Sequence, residues 1–296
     1  MQALWMVLAS FLFASMAVCV KVASEWFNAA ELVFWRGLIG MGCMWLLARH
    51  QRVSLATRHA GMHAWRSIVG VASLGAWFYA IAGLPLATAV TLNYMSSVWI
   101  AAFLVGGAIF AWDPRREPLR QGPLVLAVLA GFAGVVLMLR PTIEQNQVFA
   151  GLIGVLSGLI AAFAYLQVMA LGRVGEPETR IVFYFAAGSA VGGLACLPYT
   201  GVSPWSWGPA LWLLPIGLLA ALAQWCMTRA YSQGGTLVVA SLQYSGIVFG
   251  AIYSLVLFGD RIPPAGWLGM ALIVGSGVAA TVLRGRAAPN APAEDH

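Results

Sequence analysis

Ala89-Val90-Thr91-Leu92-Asn93-Tyr94 is echoed half a chain later by Val239-Ala240-Ser241-Leu242-Gln243-Tyr244. Each segment sets an amide beside a phenol within an apolar run. The echo is not isolated. Glu31-Leu32-Val33-Phe34-Trp35 matches Arg180-Ile181-Val182-Phe183-Tyr184, and Val7-Leu8-Ala9-Ser10 matches Val155-Leu156-Ser157-Gly158. The offsets are 148 to 150 residues, half of the 296-residue chain. Three weak matches in one register describe a chain built from two similar halves.

The composition says what each half is made of. Apolar residues are 61% of the chain and charged residues 9%. Soluble domains carry roughly 25% charged residues, because water must be met by polar groups. A bilayer removes that demand. The apolar residues fall into ten runs: 3–23, 30–48, 67–84, 87–111, 122–139, 149–171, 181–199, 209–230, 236–258 and 264–283. Each is near the ~20 residues that cross ~30 Å of hydrocarbon. The gaps are short and rich in Pro, Gly and charge, as in Asp113-Pro114-Arg115-Arg116-Glu117-Pro118. The first run has no basic residues before it, so it is expected to be a retained helix rather than a cleaved signal.

The expected fold is therefore an all-α membrane protein with ten transmembrane helices in two inverted five-helix repeats. The first repeat covers 1–140, the second 148–284, and 285–296 is a disordered tail. Five helices per half is an odd number, so the second half enters the bilayer from the opposite side. Basic residues choose the orientation. With the N-terminus inside, twelve Arg fall on the cytoplasmic side, Arg66 and Arg173 among them; Lys21, Arg140 and Arg261 fall outside. Arg36 is left within a helix. Both termini are thus expected in the cytoplasm, with the chain in the inner membrane. The net charge of +6 reads as topology, not as a nucleic-acid face.

These residues resemble the EamA-like permeases of the drug/metabolite transporter superfamily over nearly the whole chain. The stretches that carry the likeness are Phe34-Trp35-Arg36-Gly37, then Arg66, then Trp77-Phe78-Tyr79-Ala80 through Leu84-Pro85-Leu86-Ala87-Thr88-Ala89. They are similar to the branch of S-adenosylmethionine-type and riboflavin-type permeases. Asp260-Arg261 stands where that family usually has a Glu at the end of its ninth helix. The resemblance implies a ten-helix permease for a small organic solute, with a central cavity between the repeats.

Candidate site residues follow from polarity inside the apolar runs. Arg36 lies six residues into its run, roughly 9 Å below the surface at 1.5 Å per residue. Intramembrane charge is costly and commonly functional. Arg36 reads either as an anchor for a carboxylate or phosphate, or as a side chain that snorkels or pairs with Glu31 or Glu25. In the repeat register Arg36 aligns with Phe185, so the charge breaks the internal symmetry. Asn93, Tyr94, Gln243 and Tyr244 form the paired amide–phenol dyads, and Ser97 shares a face with Asn93. They read either as a polar lining for a solute or as interhelical hydrogen bonds. Trp77, Tyr165, Gln224 and Trp225 are further candidates for the lining, as is Tyr79.

Absences complete the reading. All four His are expected in loops or the tail, which leaves an intramembrane hydrolase without a base. No Cys/His cluster has metal-ligand spacing, and the four Cys read as free thiols. No cofactor and no enzymatic activity are expected. The partners expected are a small-molecule substrate and the lipid bilayer, with no nucleic acid, and the chain is a monomer or homodimer. The small-residue ladders Gly154/Gly158, Gly188/Gly192 and Gly246/Gly250 read as helix packing within the monomer or as a dimer face. A non-transporting accessory or sensor protein is the alternative to a transporter.

Overall fold

The computed structural model describes residues 2–96, 98–99, 103, 122–144, 147–233 and 242–287. The helices are α1 (Gln2–Ala23), α2 (Ala29–Gln51), α3 (Ala60–Gly83), α4 (Leu86–Tyr94), α5 (Gly122–Glu144), α6 (Val148–Arg173), α7 (Glu178–Thr200), α8 (Leu213–Gln233), α9 (Ser245–Leu257) and α10 (Pro264–Ala287). A single turn, Trp207–Ala210, leads into α8. Ser97, most of the 95–111 stretch, residues 234–241 and the tail from 288 onward lie outside the described residues. Among the described residues, six spans are long and apolar enough to cross a membrane: Leu4–Ala23, Ala29–Gln51, Ala60–Gly83, Val148–Arg173, Glu178–Thr200 and Trp207–Tyr231. Shorter apolar helices cover Val125–Leu137, Ser245–Leu257 and Pro264–Ala279.

Local chemistry sets the helix ends. Asn28 caps α2 by accepting from the Glu31 amide, and the Glu31 carboxylate accepts from the Asn28 amide in return. Pro85 stops α3 and starts α4. Pro177 precedes α7 in the same way. The outer faces carry exposed apolar side chains such as Leu152, Leu156, Val191, Leu194 and Leu222. Arg36, Arg66, Asn93 and Gln243 are buried inside instead. Apolar outside and polar inside is the distribution a bilayer imposes.

The helix pairing follows a rule. The larger contacts are α2 with α7, α5 with α10, α3 with α6, α1 with α8 and α2 with α8. Next come α4 with α9, α3 with α7, α1 with α9 and α4 with α6. Exchanging each helix for the one five places along leaves these pairings unchanged. Three of the equated pairs, α2 with α7, α4 with α9 and α5 with α10, also run antiparallel where they meet. Gly37 meets Ala190 while Gly193 meets Phe34, Gly246 meets Tyr94 while Gly250 meets Val90, and Gly131 meets Ser276 while Gly134 meets Gly269.

The small-residue ladders pack inside this bundle. A Cβ on Gly158 would come 2.5 Å from the Leu92 carbonyl oxygen, and one on Gly192 would come 2.8 Å from Val71. Gly188 faces Ser67, and Gly246 faces Tyr94. All three ladders are thus filled by neighbours in the same chain.

Loops 52–59 and 174–177 meet at one end. Thr57 and Arg180 donate to the Glu176 carboxylate at 2.6 and 2.9 Å, and Arg180 also donates to the Ser54 carbonyl. At the other end Lys21 donates to the Leu84 carbonyl, Asn28 to the Gly201 carbonyl, and Ser203 to Glu31. Loops expected on one side of the membrane are thus tied together at one end.

Two expectations about the start of α3 are corrected. The third apolar run was read from 67, yet α3 begins at Ala60. Arg66 is therefore a buried helical residue and not a gap residue. His63 is also helical and buried, and its Nε2 lies 3.4 Å from Glu176 Oε2. A Glu–His pair does exist, at a helix end. The reason is rotational: His63 and Arg66 turn inward to polar partners and a cavity, so the first turns of α3 need no continuous apolar run.

The Glu176 cluster gives a pH prediction. Burial alone would raise this carboxyl. Hydrogen bonds from Thr57 and Arg180, the Arg180 charge and His63 outweigh burial and hold it below its ordinary value of 4.5. A depressed carboxylate contributes stability above its unfolded pKa and loses it as pH falls through the folded one. Melting temperature is thus expected to drop as pH is lowered from about 5 through the depressed value. Glu176→Gln should melt lower at neutral pH and lose that part of the acid dependence. An unchanged acid profile in this variant would contradict the assignment.

Candidate functional site

α2 and α7 cross closely because small residues line both sides of the contact. The cavity opens beside that crossing. Arg36 of α2 and Phe185 of α7, equated by the repeat, meet there: the guanidinium carbon lies 5.1 Å from the ring centroid. Arg66 of α3 stands on the same ring at 4.0 Å. One aromatic ring thus serves two cations, a contact worth about 2 kcal/mol for a desolvated pair.

Neither Arg has an ion pair among the described residues. Arg36 Nη1 reaches Ser189 Oγ only at a long 3.5 Å. Arg36 Nε, Arg66 Nε and Arg66 Nη1 have no hydrogen-bond partner. Both residues are 3% exposed. The expected partners of Arg36 are otherwise engaged or distant. Glu31 is held by its cap and by Ser203, whose hydroxyl donates to it at 2.6 Å. Glu25 is exposed at the helix end. Removing a guanidinium from water costs several kcal/mol unless partners recover it, so two uncompensated ones are the main chemical feature of the cavity.

The other walls are aromatic and amide. Trp77 of α3 lines the cavity with an indole N–H that has no partner. Asn93 and Tyr94 line it from α4, Tyr165 from α6 and Gln224 from α8. Asn93 also donates to Ser157 Oγ at 3.1 Å, so it joins α4 to α6 while facing the cavity. Gln243 and Tyr244 sit elsewhere. Gln243 Oε1 accepts from Tyr231 at 2.7 Å, and the Tyr244 ring lies against Gly277 of α10. Tyr79 is half exposed and packs on Phe149. Trp225 packs edge-on against Trp5. Ser97 lies outside the described residues. Six of the eleven residues proposed from sequence thus line one cavity: Arg36, Trp77, Asn93, Tyr94, Tyr165 and Gln224.

Sequence reasoning missed Arg66 as a wall residue, along with Phe185 and Gly70. The available signal was the length of a helix. A 24-residue α3 carries Arg66 one and a half turns inside it. Gly70, one turn further on, leaves room for the Arg66 guanidinium, since a side chain there would collide with it.

No family model matches the chain. Whole-chain relatives do. The pseudopaline exporter of Pseudomonas aeruginosa is 34% identical over 262 residues, 88% of each chain. A riboflavin transporter of Rhizobium johnstonii is 29% identical and covers 92% of this chain and 88% of its own. An uncharacterized transporter of Helicobacter pylori is 28% identical, over 92% of this chain and 91% of its own. A crystal structure 20% identical in sequence covers 95% of this chain and 97% of its own with a TM-score of 0.66, which shows a shared fold. The relatives are named as transporters and none of these three as an enzyme. With apolar spans, a polar interior and relatives along almost its whole length, the chain belongs to the drug/metabolite-transporter-like permeases and is a membrane transporter of small metabolites.

Proposed function

We propose that this chain moves a small organic metabolite across the inner membrane by alternating access. In this reading ten helices form two inverted repeats, 1–140 and 148–284, and both termini are cytoplasmic. The substrate sits between the halves, against Arg36, Trp77, Asn93, Tyr94, Tyr165 and Gln224. Gln243 and Tyr244 act from the second half as neighbours of the moving helices.

The observation that carries the reading is the position of the cavity. Its walls come from α1, α2, α3 and α4 on one side and α6, α7 and α8 on the other. A site shared by two antiparallel halves can be opened from either side when one half rocks against the other. The pairing that survives exchange of the halves supports the repeat. The antiparallel course of α2 with α7, α4 with α9 and α5 with α10 supports an axis in the membrane plane.

Two measurements test this. Purified protein in vesicles should accelerate the exchange of a metabolite across the membrane, and empty vesicles should not. Reporter fusions in the 52–59 loop should read as cytoplasmic and fusions at Trp205 as external. A cytoplasmic Trp205 would contradict the orientation and the ten-helix count together.

A further inference from the structure

We infer that the cavity is a dianion site whose substrate is a small organic acid with two acidic groups, one for Arg36 and one for Arg66. This rests on the transport reading above and adds the substrate class to it.

The argument begins with donors that lack acceptors. Arg36 Nε, Arg66 Nε, Arg66 Nη1 and Trp77 Nε1 are all buried and without hydrogen-bond partners among the described residues. Buried polar groups are normally satisfied, so a cluster of unsatisfied donors around one space points to a missing acceptor. The donors are cationic and no Asp or Glu lines the cavity among the described residues, so the missing group is anionic. The described acids near helix ends are engaged locally: Glu31 with Ser203, Glu176 with Arg180, Asp260 with Ser254. None is available as a counter-charge.

Two features set the class further. The guanidiniums belong to different helices and approach the ring of Phe185 separately, at 5.1 and 4.0 Å. No described acidic side chain bridges them, so two acid groups neutralise the site better than one. Arg presents a planar fork that matches a carboxylate with two parallel bonds. Part of the remaining wall is aromatic, from Trp77, Phe185 and Tyr165. Such a wall favours an organic body over a hydrated inorganic ion. A cationic solute would meet two like charges and no carboxylate.

The test uses the full-length chain in lipid nanodiscs and in vesicles. Thermal stabilisation is measured with succinate, glutarate and isophthalate, with the monoamide and diamide of each, and with inorganic phosphate. At least one dicarboxylate should stabilise the protein saturably. Its monoamide should bind more weakly by roughly tenfold or more, since a hydrogen bond to a charged group is worth about 1.5–3 kcal/mol. Arg36→Gln and Arg66→Gln should each cause a loss of similar size, and Arg36→Lys and Arg66→Lys a smaller one. The amide series on the unmodified chain decides the matter even if a Gln variant does not fold. The inference is overturned if no dicarboxylate binds, if amides bind as tightly as acids, or if binding survives in both Gln variants. It is also overturned if phosphate matches every organic dianion, which would make the site an inorganic-anion site. Counterflow in vesicles separates this inference from the transport reading. Movement of neutral or cationic solutes alone would keep transport and remove the dianion class. Saturable dicarboxylate binding with no solute movement would do the reverse.

Discussion

Gly37→Leu should leave no folded protein to purify, and Gly37→Ala should lower the melting temperature sharply. A Cβ at Gly37 would overlap the Ala190 amide nitrogen and come 2.7 Å from the Ala186 carbonyl oxygen. These are backbone atoms of α7, and they cannot swing aside. Gly193 is the reciprocal contact, with a Cβ placed 2.5 Å from the Phe34 amide nitrogen and 2.7 Å from its Cα. The helices would have to separate along their whole crossing. Overpacking a core costs about 1–3 kcal/mol when side chains can adjust, so contact with a backbone belongs at or above the upper figure. Within lipid, close packing is a principal force joining helices, so its loss is not recovered elsewhere. Gly42→Ala and Gly75→Ala are the controls, since nothing lies within 4 Å of a Cβ at either position. They should be neutral or stabilising by up to ~1 kcal/mol, because Ala favours helix over Gly. Thermal unfolding in one detergent, with size-exclusion profiles, reads all three alanine variants. A Gly37→Ala protein as stable as the Gly42→Ala control would refute the backbone crossing.

Leucine at Gly70 should instead abolish transport in a protein that still folds. The first atoms a Cβ there would meet are the Arg66 guanidinium and, at 2.8 Å, the edge of the Phe185 ring. Both are ends of side chains beside a cavity, so they can move. Folding should therefore survive at a cost of about 1–3 kcal/mol. The cavity would not survive, because the leucine occupies the space that Arg66 and Phe185 define. Exchange across vesicles is expected to fall to the rate of empty vesicles. Gly70→Ala should be intermediate, with the guanidinium displaced but the space still open. Normal exchange in a well-folded Gly70→Leu variant would place the transport path elsewhere. The two glycines differ in sequence only by position; what decides their fate is whether the neighbour is a backbone or a side-chain tip.

Much of this protein was legible in its sequence. Among the described residues the helices lie at nearly the expected places, because hydrocarbon demands internally bonded backbone and about 20 residues per crossing. Arg36, Trp77, Asn93, Tyr94, Tyr165 and Gln224 were singled out by polarity or aromaticity inside apolar runs, and they line one cavity. Gln243 and Tyr244 carry the same residue pattern as Asn93 and Tyr94, yet they turn to Tyr231 and Gly277. A motif states which residues recur; it does not state how far a helix is rotated about its axis.

The sequence by itself determined the solvent of this chain, the existence of its helices, the echo between its halves and the isolation of Arg36 in an apolar run. Those are properties of composition and order along one dimension, and the bilayer reads them segment by segment. Only the tertiary structure decided that Arg66 turns inward, that both guanidiniums meet the Phe185 ring, that His63 reaches Glu176, and that the glycine ladders are filled from within. Each of these depends on which faces two distant helices present at their crossing. That choice is made by side-chain packing across the crossing, and it leaves no periodic trace in either helix alone.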